Sequence, residues 1–143
     1  MHVERILALK GNEVISVRLD DTIGRAAGLM SDNRIGAVLV RDDEGFVEGV
    51  LSERDIVRGV ARIGARCMDT SVDELMTREV IYCQPEDDID TIMSVMTEHR
   101  VRHLPVMRDG HLLGIISIGD VVKFRMEEIE FEAAAMRKYI ATA

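Results

Sequence analysis

The chain has 143 residues, of which 47% are hydrophobic and 31% are charged, a composition typical of a folded domain rather than of a disordered segment. Its formal net charge of -8 argues against DNA or RNA as a partner, because contacts to phosphate dominate nucleic-acid affinity. Only 3% of the residues are aromatic and none is Trp, so we expect a core of Val, Ile, Leu, Ala and Met.

The sequence has neither the pattern of a membrane span nor that of a secretion signal. The longest nearly apolar stretch, residues 112–119, is far shorter than the about 20 residues that cross a bilayer. The N-terminal segment is short and amphipathic, unlike a signal peptide. Cys67 and Cys83 have neither CxxC nor metal-ligand spacing, so we expect reduced thiols. These observations predict a soluble, cytoplasmic protein without a metal site.

The sequence repeats itself. Residues 13–58 align with residues 79–123 at an offset of 66, which becomes 65 after one deletion. Identical pairs include Ile23/Ile89, Met30/Met96, Gly49/Gly114, Ser52/Ser117 and Asp55/Asp120. A fixed period indicates consecutive copies of one structural unit. We predict repeat 1 over 8–66 with its core at 13–58, repeat 2 over 72–128 with its core at 79–123, and a C-terminal helical extension over 120–140.

Both copies have the same predicted elements, in the order β-α-β-β-α. In chain order these are a strand (14–17 and 80–83), an acidic helix cap (20–22 and 86–88), a helix, an apolar strand (35–40 and 101–107), a third strand after a glycine turn (47–51 and 112–116), and a helix from Ser52 and Ser117. The first helix is predicted from apolar residues on one face, namely Ile23, Ala26, Ala27 and Met30, or Ile89, Ile92, Met93 and Met96. Strands that are apolar throughout indicate a sheet covered on both faces, and the fold class is α/β.

Two segments lie outside this pattern. Residues 60–71 form a connector that leads into a predicted helical turn at 72–76. The C-terminal helix, expected to run to roughly Tyr139, has apolar residues at alternating spacings of 4 and 3, about two and a half heptads. These residues are Val122, Met126, Ile129, Ala133, Met136 and Ile140. The helix packs either on the N-terminal helix, through Val3, Ile6 and Leu7, or against another subunit, and the sequence leaves both open.

The motif Gly-h-h-Ser-x-x-Asp, where h is hydrophobic, occurs at residues 49–55 and again at 114–120. Repeat 2 also contains the run Arg102-His103-Leu104-Pro105-Val106, and repeat 1 has an apolar variant of it at 35–40. A duplicated β-α-β-β-α unit with these motifs resembles the CBS domain, named after cystathionine β-synthase. The resemblance covers residues 13–123.

The resemblance implies a pair of repeats with pseudo-twofold symmetry, and often a disc-shaped homodimer of two pairs. It further implies a cleft between repeats for an adenosine-containing ligand such as AMP, ADP, ATP, NAD(H) or S-adenosylmethionine, and a regulatory role. No catalytic domain is attached, so the chain looks like a stand-alone pair that acts on a protein partner that the sequence does not identify.

The Ser and Asp of the duplicated motif have two compatible interpretations. In the first, Ser52 with Asp55 and Ser117 with Asp120 are helix caps, because Ser-x-x-Asp has the spacing of a capping box. In the second, each carboxylate accepts hydrogen bonds from ribose hydroxyls, as an acidic residue does in dinucleotide-binding folds, and the Ser hydroxyl with the helix N-terminus meets phosphate. Spacing alone favours the cap, whereas the duplication and the resemblance favour the ribose contact.

An anionic ligand on an acidic chain requires nearby cations. Arg54 at the start of a helix, together with Arg102 and His103 at the start of a strand, are the candidate phosphate ligands. Arg34 and Arg100 are better explained as helix C-terminal residues. The spacing of His99 and His103 does not predict a metal site.

The adenine ring is expected in an apolar slot formed by the first strands and by the starts of the central strands. This assignment rests on the resemblance, because ordinary core packing explains the same residues equally well. The complete expected ligand-binding set is Ile15, Val17, Gly36, Ala37, Ser52, Arg54, Asp55, Ile81, Cys83, Arg102, His103, Leu104, Pro105, Ser117, Gly119 and Asp120.

The function expected is that of a non-catalytic module that binds an adenine nucleotide or dinucleotide, without an obligatory cofactor, and signals to a partner. The sequence has no Ser/His/Asp triad, Cys/His pair, GxGxxG or P-loop pattern. Two alternatives stay open, a ligand-free interaction module and a small nucleotide-acting enzyme. Because only repeat 1 has Arg54 and only repeat 2 has Arg102 and His103, the two sites are expected to differ.

Overall fold

In a computed structural model that describes residues 2–11 and 13–142, helices and strands follow the predicted order, except that the first strand of repeat 2 is not formed. They are α1 (Val3–Lys10), β1 (Ser16–Arg18), α2 (Ile23–Asn33), β2 (Ala37–Arg41), β3 (Val47–Ser52), α3 (Glu53–Ile63), a 3₁₀ helix (Gly64–Asp69), α4 (Val72–Leu75), α5 (Ile89–His99), β4 (His103–Arg108), β5 (His111–Ser117) and α6 (Ile118–Thr142). The α/β fold class with two repeats is confirmed.

The chain divides into two compact units, each made of discontinuous segments. The repeat-1 unit contains Glu13–Ile81 and Asp109–Leu112, and the repeat-2 unit contains Met1–Asn12, Tyr82–Arg108 and Leu113–Ala143. The N-terminal segment therefore belongs with repeat 2, although it directly precedes repeat 1 in the sequence.

The repeat-1 unit has a three-stranded sheet in the order β1-β2-β3. Strand β1 is parallel to β2, and β2 is antiparallel to β3. The central strand is buried from Ala37 to Val40, as its unbroken apolar sequence predicts. Two residues of this strand, Val38 and Val40, belong to the hydrophobic core of the unit. The other core residues are Val17, Ile23, Ala26, Met30, Leu51, Cys67, Val72 and Met76.

The repeat-2 unit has a two-stranded sheet of β4 and β5. Its buried apolar residues are Val3, Ile6, Cys83, Ile89, Ile92, Met96, Leu104, Val106, Ile116, Val121 and Phe124. Met93, which the periodicity places on the buried face of α5, is exposed instead.

The first strand predicted for repeat 2, at 80–83, is reduced to a single parallel bridge between Cys83 and Val106. Cys83 N donates to Pro105 O at 2.9 Å, and Met107 N donates to Cys83 O at 2.9 Å. To continue the ladder after Cys83, residue 85 would have to donate its backbone N–H to β4. To continue it before Cys83, residue 105 would have to donate its backbone N–H to residue 81. Both donors are prolines. Proline has no N–H, so the ladder cannot extend in either direction.

Helix ends are formed in the same way in both repeats. Thr22 Oγ1 accepts a hydrogen bond from Arg25 N at 3.1 Å, and Asp88 Oδ1 accepts one from Thr91 N at 2.7 Å, so the predicted caps are present. At the other end, Arg34 and Arg100 adopt the left-handed conformation, with φ of 54° and 55°. This agrees with their interpretation as helix C-terminal residues.

Each unit is completed by the segment that precedes the core of the other repeat. In the repeat-1 unit, Val72 N at the start of α4 donates to Asp21 O at 2.8 Å. In the repeat-2 unit, Val3 N at the start of α1 donates to Asp87 O at 3.0 Å. Asp21 and Asp87 are equivalent positions of the two repeats, so α1 and α4 lie at equivalent places on their respective units.

Of the two alternatives for the C-terminal helix, packing against α1 applies to the first part of α6. Its first turns pack inside the repeat-2 unit, where α1 contacts α6 and the side chains of Val121 and Phe124 are buried. The apolar residues from Met126 onward are exposed. Within the described part of the chain, no helix has the length and apolar content needed to cross a membrane.

The motif glycine of repeat 1 is required by a close backbone approach. A Cβ atom at Gly49 would lie 2.7 Å from the carbonyl oxygen of Thr77. We expect Gly49→Ala to lower the free energy of unfolding by about 1–3 kcal/mol, as overpacking does, when measured by urea denaturation. Gly28→Ala is the matched control, because Gly28 lies in α2 with nothing within 4 Å of an added Cβ, and it should raise stability by about 0.5–1 kcal/mol. Equal stability of the two variants would contradict this role of Gly49.

Candidate functional site

The terminal motif of repeat 1 places a carboxylate against the first turn of a helix. Ser52 is the N-cap of α3, and Asp55 N donates to Ser52 Oγ at 3.3 Å. In return, Ser52 N donates to Asp55 Oδ2 at 3.0 Å. The capping-box interpretation is therefore correct for this pair, and the bonds fix the orientation of the carboxylate.

Asp55 is also held by a residue that the motif does not contain. Thr77 Oγ1 donates to Asp55 Oδ1 at 3.2 Å. Thr77 reaches this position because its backbone forms an antiparallel bridge with Val50, with N–O distances of 3.0 and 2.9 Å. The side chain of Asp55 is buried, and the donors to it are the neutral groups of Ser52 and Thr77.

The motif of repeat 2 has the same cap and a different third partner. Ser117 N donates to Asp120 Oδ2 at 2.9 Å, and Asp120 N donates to Ser117 Oγ at 3.1 Å. The third donor is Lys10, whose Nζ lies 2.6 Å from Asp120 Oδ2 and donates a second hydrogen bond to Ile115 O at 2.9 Å. A cation from α1 thus takes the place that the Thr77 hydroxyl has in repeat 1.

Lys10 changes the electrostatics of Asp120. Burial by itself raises the pKa of this carboxyl. The hydrogen bonds from Lys10 and Ser117, together with the charge of Lys10, outweigh burial and hold the pKa of Asp120 below its ordinary value of 3.8. Asp120 is therefore ionised at neutral pH and already paired with a cation.

The start of the central strand lies beside the motif in both repeats. Gly36 O accepts a hydrogen bond from Glu53 N at 3.0 Å, and Arg102 O accepts one from Ile118 N at 2.8 Å. Gly36 and Arg102 are equivalent positions of the two repeats. In repeat 1 the Glu53 carboxyl group lies 3.6 Å from where a Cβ of Gly36 would be, whereas the equivalent of Glu53 in repeat 2 is the apolar Ile118.

The structure therefore brings part of the expected set together within each unit. In the repeat-1 unit, Gly36 contacts α3, and Ala37 is paired with Ser52 in the β2–β3 register. Arg54 is exposed on the first turn of α3. In the repeat-2 unit, the backbone of Arg102 joins the motif of Ser117, Gly119 and Asp120, and His103 is half-buried.

The residues expected around adenine lie within the units as core or near-core residues. Val17 and Ala37 are buried in the sheet of the repeat-1 unit, Ile15 packs against its core, and Ile81 is half-buried. Cys83, Leu104 and Pro105 are buried in the repeat-2 unit. Core packing thus explains their presence, as the sequence already allowed.

Neither cysteine has the character of a reactive thiol. Both are free and buried. Burial, with a smaller contribution from the charge of Asp87, raises the pKa of the Cys83 thiol to about 12. Since the thiolate is the nucleophile and the metal ligand, Cys83 is a packing residue. Among the described residues, there is also no group of three or more His, Cys, Asp or Glu placed to hold a metal ion.

Sequence reasoning missed Thr77 and Lys10. Both lie just before the aligned repeats, which begin at 13 and 79. The helices that precede the repeats differ in length, with eight residues in α1 and four in α4, so no constant offset relates the two segments. The one available signal was that each polar residue lies at the end of, or just after, a short helix that precedes a repeat core.

Comparison with known proteins identifies the family. The family described as CBS domain matches residues 8–62 and 72–127. The crystal structure of a CBS-domain containing protein from Agrobacterium tumefaciens is 47% identical, with a TM-score of 0.84 over 87% of this chain and 92% of that chain. CBS domain-containing protein CBSX3, mitochondrial, from Arabidopsis thaliana is 34% identical over 125 residues, 85% of this chain. This chain spans 61% of the length of that relative.

A more distant structure shares the fold. The CBS domain pair of protein MJ0100, solved in complex with 5′-methylthioadenosine and S-adenosyl-L-methionine, is 22% identical, with a TM-score of 0.78 over 90% of this chain and 98% of that chain.

Lys10→Met tests the ion pair with Asp120. We expect the pKa of Asp120 to rise, because burial remains while the hydrogen bond and the charge of Lys10 are lost. A carbon-detected NMR titration of the Asp120 carboxyl group measures this pKa. A lowered pKa in the folded state contributes stability that is present above the unfolded-state pKa and lost as pH falls through the folded-state value. The variant should therefore be less stable at neutral pH and should lose less stability on acidification.

The control for Lys10→Met is Lys138→Met, which removes the same charge from an exposed position on α6. It should leave the pKa of Asp120 unchanged. An equal shift in both variants would mean that net charge, rather than the contact with Lys10, sets this pKa.

Proposed function

This chain belongs to the CBS domain family, and from that premise we propose that it is a non-catalytic regulatory module that binds an adenosine-containing ligand through the terminal motif of each repeat. The ligand classes proposed are AMP, ADP, ATP and NAD(H). Binding would change the geometry of the protein, and a protein partner would respond to the change.

The observation that carries the proposal is the pair of oriented carboxylates at helix N-termini. Asp55 and Asp120 are each fixed by hydrogen bonds from the preceding Ser. In Asp120 the bonds from Ser117 and Lys10 both go to Oδ2, which keeps Oδ1 for a ligand hydroxyl. A carboxylate that is already oriented loses little entropy when a ribose donates its two hydroxyl groups.

The phosphate of the ligand is proposed to lie at the N-terminus of α6, near Arg102 and His103. Backbone N–H groups at a helix start bind anions, and Ile118 adds no negative charge there. Around α3 the cation is Arg54, and the carboxylate of Glu53 lies beside Gly36. An anion is therefore less favoured in repeat 1, where we propose that a ligand with less phosphate charge binds.

The adenine ring is proposed to contact the side chains or backbone of Ile15, Val17, Gly36, Ala37, Ile81, Cys83, Leu104 and Pro105. The backbone N–H and C=O of Cys83 already bond to β4, so this residue can offer only its side-chain surface. The adenosine ligands of the MJ0100 pair support a ligand of this class.

The remaining parts of the proposal concern location and assembly. The buried free thiols of Cys67 and Cys83 support a reducing compartment such as the cytoplasm. The protein is proposed to form the homodimeric disc that the family resemblance implies and to act on a separate protein.

Titration calorimetry with AMP, ATP and NADH tests the ligand. We expect binding to the unmodified chain, and we expect Asp55→Asn with Asp120→Asn to abolish it in a folded protein. Each substitution weakens a cap and should lower the free energy of unfolding by only about 1 kcal/mol. Asp32→Asn, at an exposed position of α2, is the matched control and should bind normally. Absence of binding at millimolar ligand would disprove the sensor function, and turnover of a ligand would show an enzyme instead.

The two sites should titrate as two unequal steps. Repeat 1 offers neutral donors and Arg54, whereas repeat 2 offers Lys10, Arg102 and His103. We expect Asp55→Asn alone to remove one step and Asp120→Asn alone to remove the other. Two identical and independent sites would contradict this inequality even if the ligand is confirmed.

The ion pair of Lys10 and Asp120 also favours a second candidate function, that of a ligand-free interaction module. The carboxylate of Asp120 already has a cation from the same unit at 2.6 Å, so it does not require a ligand. Under this alternative, Lys10→Met would change stability without creating or altering any nucleotide affinity in the calorimeter.

A further inference from the structure

Helix α6 extends well beyond the part of the chain that the family accounts for. The second CBS match ends at residue 127, whereas α6 continues to Thr142. Every described residue from Phe131 to Thr142 is exposed. We call residues 126–142 the tail. In proteins, most of the stability of a helix comes from the packing of its apolar face.

The tail carries an apolar seam with coiled-coil spacing. Residues 122, 126, 129, 133, 136 and 140 are Val, Met, Ile, Ala, Met and Ile. The intervals alternate between 4 and 3, which places Met126, Ala133 and Ile140 at a positions and Val122, Ile129 and Met136 at d positions. Ile129 is 54% exposed, Met136 59% and Ile140 66%, so within the repeat-2 unit the seam is not covered.

The seam faces away from the body of the repeat-2 unit. Phe124, at an f position on the opposite side of the helix, is 7% exposed because it packs into that unit. Phe131 lies on the same f side one heptad later. The a and d side chains are therefore turned outward, where another chain can reach them.

The charges beside the seam select both the occupant and its direction. The g positions hold Arg125 and Glu132, and the e positions hold Glu130 and Arg137. In a parallel, in-register pair, each g residue faces the e residue five positions later on the other helix. Arg125 then faces Glu130 of the second copy, in addition to its ion pairs with Asp90 and Glu128 in its own unit. Glu132 faces Arg137 of the second copy. Both contacts join opposite charges, and the twofold symmetry of the pair produces each contact twice.

The other arrangements are disfavoured by the same charges. An antiparallel pair that uses the whole seam would place Glu130 against Glu130 and Glu132 against Glu132. An anionic lipid surface is also a poor match, since the tail has four Glu and only Arg137 and Lys138 as cations.

We propose that the tail of α6 pairs in parallel and in register with the tail of a second copy of this chain. Most of the contact lies beyond the second CBS match, which ends at residue 127, and it needs no ligand. It adds to the disc contact between repeats and brings two CBS pairs to the same end of a short two-stranded coiled coil.

Site-directed crosslinking of the full chain tests the direction. In Met136→Cys the new thiol is the exposed one, because Cys67 and Cys83 are buried. In a parallel pair the two copies of position 136 face each other, so mild oxidation should yield a disulfide-linked dimer on a non-reducing gel. Lys138→Cys, at an f position, is the matched control and should stay monomeric on the same gel. Absence of the dimer in Met136→Cys, or equal dimer in both variants, would overturn the proposal.

Charge reversal in the Met136→Cys chain tests the register. Glu132→Arg alone and Arg137→Glu alone should each reduce the crosslinked dimer, because like charges then meet. A mixture of the two variants should restore it, mainly as the mixed dimer, which mass spectrometry identifies. Lys138→Glu is the control and should have no effect. Unchanged crosslinking in the single variants, or no restoration in the mixture, would overturn the parallel register, and circular dichroism confirms that every variant is folded.

Discussion

The structure depends on one exchange of contacts, in which the segment before each repeat core bonds to the other repeat. The backbone N–H at the start of α4 donates to Asp21 O, and that at the start of α1 donates to Asp87 O. These bonds satisfy helix N-terminal donors that would otherwise lack partners. They also bring Lys10, at the end of α1, to Asp120, and Thr77, just after α4, to Asp55.

Because of this exchange, the two motif carboxylates have chemically different partners. The hydroxyl of Thr77 reaches Asp55, and the ammonium group of Lys10 reaches Asp120. A buried carboxylate needs donors to offset the loss of hydration, and both carboxylates have them. Among the described residues, Asp120 has a cation as partner whereas Asp55 has neutral donors, so the two repeats differ electrostatically although their motifs are alike in sequence.

The cap and the ribose interpretations of the motif depend on the same hydrogen bonds. The Ser hydroxyl and backbone that close the first turn of α3 or α6 also hold the Asp side chain in one orientation. Stability of the helix and readiness for a ligand are therefore coupled.

Helix α6 joins two roles along its length. Its first turns supply Asp120 and pack Val121 and Phe124 into the repeat-2 unit. Its tail leaves that surface and exposes an apolar seam. An assembly formed through the tail would be connected to the motif of repeat 2 by one continuous helix.

Most of the fold, and the capping boxes of the two motifs, could be predicted from the sequence. The repeat, the helix faces, the caps and the capping boxes depend on residues close together in the chain, where spacing determines which side chains meet. The short first strand of repeat 2 was predicted too long, because the two prolines that stop it act from different strands. Thr77 and Lys10 were not predicted, since they reach Asp55 and Asp120 across 22 and 110 residues.

The duplicated Ser-x-x-Asp motif, and with it the family, was determined by the sequence alone, because cap geometry is local. The tertiary structure alone decided that a neutral hydroxyl supports one carboxylate and a cation the other. It also decided that the seam of α6 is exposed. Both outcomes depend on packing between segments that are far apart in the sequence, and local sequence patterns do not show which of these segments meet.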